Sequence, residues 1–375
     1  MKIIHTSDWH FGMPVGTGNY QQSQEFFLQR LYDLIRREQV QAVLCAGDVY
    51  DSSVANAQAI GLFNAAARTL CTELGVKFIV IAGNHDSAAR LAAHRELLSA
   101  AGLYVTGRLE RQIRPVILDG GKTAVYSLPF FNRDEVAALF PERADEIRSQ
   151  ETAMMVVCDY IRETMDPGRR NIVLSHALIV NAELSDSDRS ARVGFATAVS
   201  KDVFQGFDYV ALGHIHKPQV IAPHIRYSGS PIAYSFGSEE KQDKGVVVLD
   251  TDTMQQRFVT IPQLRGRKTV EGTFEDLLAR EDLKECYLRL KVTDRYAGLE
   301  LQSQLRQRFP YLLEIYGKSL TPEQERSALS VEQLQRLDET DIMEKFMAER
   351  FSYSPSQEQL ALFRDVLAWS QEESQ

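Results

Sequence analysis

A chain of 375 residues, 44% hydrophobic and 25% charged, has the composition of a folded globular protein and the length for two domains. Its net charge of −9 argues against a free-standing nucleic-acid-binding module, which shows a basic footprint, although bound cations or a basic partner reverse the local sign. Four widely spaced cysteines (Cys45, Cys71, Cys158, Cys286) with no C-x-x-C argue against a disulfide scaffold or a structural zinc cage.

The first half alternates strand and helix patterns. Lys2–Thr6 is a short apolar strand. Gln21–Glu38 carries Phe27, Leu31, Leu34 and Ile35 at helical spacing. Ala42–Ala46 reads as a buried strand, Asn56–Leu74 as a second helix and Lys77–Ala82 as a third strand. That order predicts parallel strands covered by helices. Further strands are expected at Thr123–Leu128, Asn171–Leu174, Tyr209–Leu212 and Gly245–Asp250, with a helix over Asp145–Arg162. The later strands have fewer helices between them, so an α/β sandwich of two mixed sheets fits better than one doubly wound sheet. Near Ile261–Lys268 the pattern changes to strand Cys286–Val292, helix Leu299–Phe309 and strand Tyr311–Tyr316. Lys318–Ser327 is polar and linker-like. Ser330-x-x-Gln333 and Ser356-x-x-Gln359 resemble capping boxes, and helices are expected near Val331–Leu337, Asp341–Phe351 and Gln357–Ser370. The expected division is 1–263, 268–318 and 328–375. Met1–Thr6 lacks the charged start and apolar core of a signal peptide, and no apolar run approaches the roughly 20 residues of a membrane span. A cytoplasmic enzyme is expected.

Five short packets carry ligand-type side chains: Asp8 and His10, Asp48, Asn84, His176, and His214 with His216. Asp8 and His10, like His214 and His216, share one face by the two-residue period of a strand end. Gly47 and Gly83 permit sharp turns before Asp48 and Asn84, at strand ends where α/β sheets gather their sites. Taken singly, each packet has an ordinary reading: a polar strand end, a helix cap, an Asn turn, a core histidine. Together they read as one dinuclear metal site, because each follows a strand and six of the eight histidines fall in or beside them. Oxygen-rich ligands with neutral imidazoles suit Mn²⁺, Fe²⁺ or Zn²⁺, and two adjacent cations point to phosphoester hydrolysis.

The packets resemble the calcineurin-like metallophosphoesterase superfamily. The segments HTSDWHFG, AGDVYD, IAGNHDS and ALGHIHKPQ followed by RYSGSPIAYSF resemble its DNA double-strand-break repair nuclease branch. The resemblance is strong over 1–263 and looser beyond. It implies one metal on Asp8, His10, Asp48 and His216, and another on Asp48, Asn84, His176 and His214, with Asp48 bridging. It implies that His85 is a catalytic acid at the scissile phosphate and that Asp51 orients His85. Asp51 also marks a departure, because a histidine holds that place in the archaeal nucleases. The resemblance further implies Mn²⁺ as activating metal, and DNA as substrate, trimmed from double-stranded ends and cut at hairpins or single strands. It implies a capping domain over 268–318, terminal helices that dock on a coiled-coil ATPase partner, and a homodimer within a heterotetramer acting in DNA repair, recombination and replication. Ile342, Phe346 and Met347, with Leu360, Phe363, Val366 and Leu367, offer apolar faces for the partner; Asn56–Leu70 is the expected dimer surface. The chain has no G-x-x-x-x-G-K-[ST] loop, so ATP dependence is expected from the partner. Arg189, Arg192, Lys217, Arg265, Arg267 and Lys268 are candidate phosphate contacts, and Tyr227 and Tyr234 candidate groove residues. Two other readings stand beside the nuclease: an esterase for small phosphodiesters or nucleotides, and a non-catalytic scaffold.

Overall fold

In the computed structural model the chain runs through β1 (Lys2–Thr6), α1 (Gln21–Glu38), β2 (Ala42–Cys45), α2 (Ala57–Arg68), β3 (Lys77–Ile81), β4 (Leu103–Thr106), β5 (Val116–Leu118) and β6 (Thr123–Leu128). It continues through α3 (Gln150–Thr164), β7 (Arg170–His176), α4 (Asp186–Ala191), β8 (Tyr209–Gly213), β9 (Gln219–Ala222), β10 (Ile225–Tyr227), β11 (Gly245–Asp250) and β12 (Gln256–Thr260). Then follow β13 (Arg267–Gly272), β14 (Tyr287–Val292), α5 (Leu299–Arg308), β15 (Leu312–Tyr316) and α6 (Gln357–Glu372), with short turns of helix between elements. The structure describes residues 1–191, 198–318 and 355–372 and positions 340, 343, 344 and 347. Two units are distinguished, Met1–Gly317 and Lys318–Gln375.

Two six-stranded sheets form the first unit's frame, in the orders β12-β11-β1-β2-β3-β4 and β9-β10-β8-β7-β6-β5. Strands β1 to β4 run parallel, as do β6, β7, β8 and β10, while β5, β9, β11 and β12 pair antiparallel, so both sheets are mixed. Ile3, Leu44 and Ile81 from one sheet meet Ile172, Leu174 and Ala211 from the other in a dry layer between them. The opposite faces are covered by α1 and α2 on the first sheet and α3 on the second. The two-sheet α/β sandwich expected from the strand spacing is the observed fold.

Local chemistry moves some boundaries. Helix α3 starts at Gln150 rather than near Asp145, because Ser149 and Thr152 close a capping box and a 3₁₀ turn occupies Pro141–Glu146. Helix α2 ends at Arg68 and continues as a π turn over Thr69–Glu73. The expected β-α-β pattern gains a first strand, β13, whose sequence RKTVEG is too polar to show as a strand. The three parallel strands β13-β14-β15 enclose their own core of Leu288, Leu290, Leu305 and Phe309.

In the second unit, Ser356 and Gln359 make the expected reciprocal cap of α6, through bonds of 2.9 and 3.3 Å. Leu362 and Val366 on that helix are exposed. The expected helix Val331–Leu337 lies outside the described residues, as does Asp341–Phe351 apart from the helical positions 343, 344 and 347. Ile342 and Phe346 are therefore not described, nor is the side chain of Leu367. No described helix is long and apolar enough to cross a membrane.

Candidate metal centre

All seven candidate ligands lie at or just past the C-terminal ends of β1, β2, β3, β7 and β8, where both sheets of the sandwich finish. The first two loops prolong the strand pairing: the Asp8 N–H donates to Gly47 O at 3.0 Å and the His10 N–H to Asp48 O at 3.0 Å. Asp8, His10, Asp48 and His214 hold φ angles of 54°, 44°, 49° and 100°. Left-handed backbone at a non-glycine residue costs about 1–3 kcal/mol and persists where surrounding structure imposes it. Here it aims four of the seven side chains at one place. Glycine is required beside them: a Cβ on Gly47 would strike the His176 ring, and one on Gly83 the Asp48 carboxylate.

The residues gather in two groups. Asp8, His10 and His216 bring ligand atoms together on one side; Asp48, His176 and His214 do so on the other. Asp48 lies between them, with Oδ2 3.8 Å from His10 Nε2 and 3.4 Å from His176 Nε2. Asn84 Oδ1 completes the second group, 2.9 Å from both His176 Nε2 and His214 Nδ1. In the first group the Nε2 atoms of His10 and His216 face each other at 3.1 Å.

The hydrogen bonds behind these atoms test whether cations fit. His176 Nδ1 lies 2.7 Å from Ala46 O, a carbonyl that can only accept, so Nδ1 carries the hydrogen. A neutral His176 then turns a bare Nε2 toward the Asn84 carbonyl and the Asp48 carboxylate. In that neutral form three lone-pair donors face one another with no proton to share, which is the arrangement a cation resolves in place of the second proton. The residues fit a pair of divalent metals.

Charge follows the same geometry. Burial opposes ionisation of Asp48, but His176 and His10 outweigh it and hold the carboxyl well below its ordinary range. Burial likewise opposes the protons on His176 and His216. Asp48 and Asp8 overcome it for the first, Glu239, Asp188 and Asp8 for the second, raising each to about 9. His214 is lowered to about 4 by burial and the neighbouring His176 charge.

His85 stands against the first group, its ring centroid 4.9 Å from that of His10, and its main-chain N–H donates to Asp48 Oδ1 at 2.9 Å. Its Nδ1 is 2.8 Å from the main-chain carbonyl of Asp51. The Asp51 contact on His85 is thus made by the backbone, while the Asp51 carboxylate lies 3.4 Å from His10 Nδ1. The side-chain role implied by the resemblance is taken by the main chain, because the turn directs the Asp51 carbonyl at the His85 Nδ1.

Several supporting groups have no role assigned from the sequence, although Ser7 and Asp86 stand within the motif segments. Asp86 accepts N–H bonds from Gly83, Val49 and Tyr50 at 2.9, 3.1 and 2.9 Å, clasping the β2 and β3 loops. Burial and the Asp48 charge raise it to about 6 despite those three donors. Ser7 Oγ donates to Asp8 Oδ2 at 2.5 Å. Asp188 accepts the His216 N–H at 3.1 Å. For Ser7 and Asp86 the sequence signal is membership of a packet; Asp188 has none.

Among the groove candidates, Tyr227 is a core residue: its hydroxyl donates to Ala177 O at 2.7 Å and accepts from Ile179 N at 2.9 Å. Tyr234 lines the site, edge-on to His10 and His216 at 5.5 and 5.7 Å. Arg267 is buried, donating to Ala233 O at 3.2 Å and to Tyr20 Oη, with its guanidinium 4.5 Å above the Phe236 ring. It fastens the three-stranded sheet to the sandwich and is a buried structural residue rather than a surface charge. Arg265 donates to Tyr311 Oη at 2.6 Å, and Lys217 pairs with Glu183. Arg192 and the Arg189 side chain lie outside the described residues.

The fold and paired clusters define a calcineurin-like phosphoesterase, and the family of that description matches residues 1–218. A second family, described as the type 5 capsule protein repressor C-terminal domain, matches 263–351. The chain is 31% identical over 353 residues to the D subunit of nuclease SbcCD from Staphylococcus saprophyticus, covering 92% of each chain. It is 30% identical over 376 residues to the protein of the same name from Staphylococcus epidermidis, covering 98% of each. This chain belongs to the family of SbcCD nuclease D subunits, within the calcineurin-like phosphoesterases. A dimetal phosphatase from Danio rerio superposes over 60% of this chain and 86% of its own with a TM-score of 0.39 and 11% identity, a likeness too loose to carry detail.

Proposed function

We propose that this chain is the metal-dependent nuclease component of an SbcCD-type complex in the cytoplasm, hydrolysing DNA phosphodiesters at a two-metal centre. The observation that carries the reading is the convergence of metal-ligating side-chain atoms on both sides of Asp48. Asp8, His10, Asp48 and His216 would hold one cation, and Asp48, Asn84, His176 and His214 the other, with Mn²⁺ the proposed ion for this oxygen- and imidazole-rich set. When bound, such a pair supplies a water nucleophile at neutral pH and offsets charge on phosphate oxygens. The protein's own part is placement. The left-handed loops fix the carboxylates before substrate arrives. His85, held through Nδ1 by the Asp51 carbonyl, keeps Nε2 free to give a proton or hydrogen bond to the departing oxygen. Buried Tyr234 walls one side of the imidazoles against water.

Substrate and partner rest on the relatives' name and the chain's appended segments. We assign 1–263 to the nuclease domain, 268–318 to a cap that sorts double-stranded ends, hairpins and single strands, and 328–375 to helices that bind the SbcC-type ATPase. That partner would supply ATP dependence, in a complex built on a dimer of this chain. The test is Mn²⁺-dependent cutting of end-labelled linear and hairpin DNA, with and without the ATPase and ATP, beside a chromogenic phosphodiester. The reading predicts DNA cleavage that His85→Ala slows by about 10²–10³-fold. Strong small-ester turnover with no DNA cleavage, even with partner present, overturns it in favour of a small-substrate esterase.

A further inference from the structure

Behind His216 lies a buried ion pair that the chemistry above does not use. Glu239 and Lys244 are 1% and 2% exposed and 2.9 Å apart. Such a pair adds little net stability over apolar residues of similar size, so what it holds is the better guide to its role. Glu239 accepts from Ser187 Oγ, from Ser235 Oγ at 2.6 Å and from Tyr234 N at 3.0 Å. Lys244 Nζ donates to His216 O at 2.8 Å. Ser187 Oγ lies 2.8 Å from His216 Nδ1. The neighbouring Glu240 accepts from Thr269 N at 2.8 Å, which anchors the same turn to β13.

The direction of these bonds follows from the donor inventory. A carboxylate only accepts, so the Ser187 hydroxyl gives its one hydrogen to Glu239. Its oxygen is then left to accept, which places a hydrogen on His216 Nδ1. A neutral His216 held this way has a bare Nε2, the atom that faces His10 Nε2 at 3.1 Å. The His216 N–H is taken by Asp188 and its carbonyl by Lys244. Nε2 is therefore the polar atom of His216 left for a ligand, and the ring cannot turn without breaking the contact at Nδ1.

We propose that Ser187, backed by the Glu239–Lys244 pair, is a positioning residue that fixes the tautomer and ring angle of His216 for metal binding. This rests on His216 being a ligand. The arrangement is a carboxylate–histidine–metal relay with a hydroxyl inserted, and loss of such a support lowers metal affinity by about 10–100-fold.

Glu239→Ala would strand the buried Lys244 ammonium and endanger folding, so Ser187 is the position to change. Mn²⁺ titration calorimetry on the full chain compares wild type, Ser187→Ala, Ser187→Thr and His216→Ala, alongside melting temperatures in chelator. The expected result is one of two Mn²⁺ sites weakened about 10–100-fold in Ser187→Ala, with the melting temperature in chelator unchanged and affinity largely restored by Ser187→Thr. Wild-type Mn²⁺ affinity in Ser187→Ala, or equal loss in Ala and Thr, overturns the proposal when His216→Ala does lose a cation. Retention of both cations by His216→Ala refutes the ligand reading itself.

Discussion

His176 and His216 sit on opposite sides of Asp48, yet what stands behind each ring differs. His176 is the last residue of β7, and its Nδ1 bonds the main-chain carbonyl of Ala46 at 2.7 Å. Its position is set by strand pairing and by a glycine that lets β2 approach. His216 lies beyond β8 and is braced by side chains: Ser187 at Nδ1, Asp188 at N, Lys244 at O. His176 is built into the sheets; His216, alone in a group whose Asp8 and His10 are sheet-paired, hangs on a polar network drawn from Ser185–Asp188 and the turn around Glu239. The sheet-built ligand should tolerate change outside its loops, and the network-built one should be tunable from a distance.

The largest expected effect removes the comparison altogether. Asp48→Ala deletes the carboxylate between the groups, and both cations should be lost, with DNA cleavage falling by about 10⁴-fold. Calorimetry showing one Mn²⁺ still bound at wild-type affinity would mean that the halves are independent. His85→Ala should cost about 10²–10³-fold in turnover while both Mn²⁺ ions bind as before, since His85 faces the centre without belonging to either group. A change in metal stoichiometry in that variant would instead make His85 a ligand.

Next comes pH. The ordinary histidine value is 6.5, and His176 and His216 are raised to about 9. The folded chain then binds those protons more tightly than the unfolded chain. In chelator, stability from these two groups should be full below pH 6.5 and lost as pH rises through about 9. Metal requires the neutral imidazole, so Mn²⁺ affinity should move the opposite way, rising across the same window. Melting temperatures in chelator beside Mn²⁺ dissociation constants, at several pH values, check both signs. Parallel trends would contradict the assigned protonation.

The smallest effect separates backbone from side chain. Asp51→Asn keeps the carbonyl that holds His85 and removes the charge near His10 Nδ1. Turnover at saturating Mn²⁺ should hold within about twofold, while Mn²⁺ affinity drops about tenfold. A turnover loss matching His85→Ala would show that the carboxylate acts on His85 after all.

What could be read from the sequence follows the same division. Asp48, Asn84, His176 and His214 stand in packets after apolar runs, so strand periodicity and flanking glycines expose them. The braces of His216 do not announce themselves. Glu239 and Lys244 lie in SEEKQDK, which reads as a solvated charge run, and their burial depends on folding against residues some fifty positions away in the chain. Arg267 misled for the converse reason: RGRK resembles a phosphate-binding run, but Tyr20, Ala233 and Phe236 enclose the guanidinium. Strands β5, β9 and β10 escaped because they are three or four residues long, too short for a period to show.

Anomalous diffraction from crystals grown with Mn²⁺ tests the central claim most directly. The account predicts two manganese peaks flanking the Asp48 carboxylate, one touching Asp8, His10 and His216 and the other Asn84, His176 and His214. A single peak, or peaks away from Asp48, would contradict it.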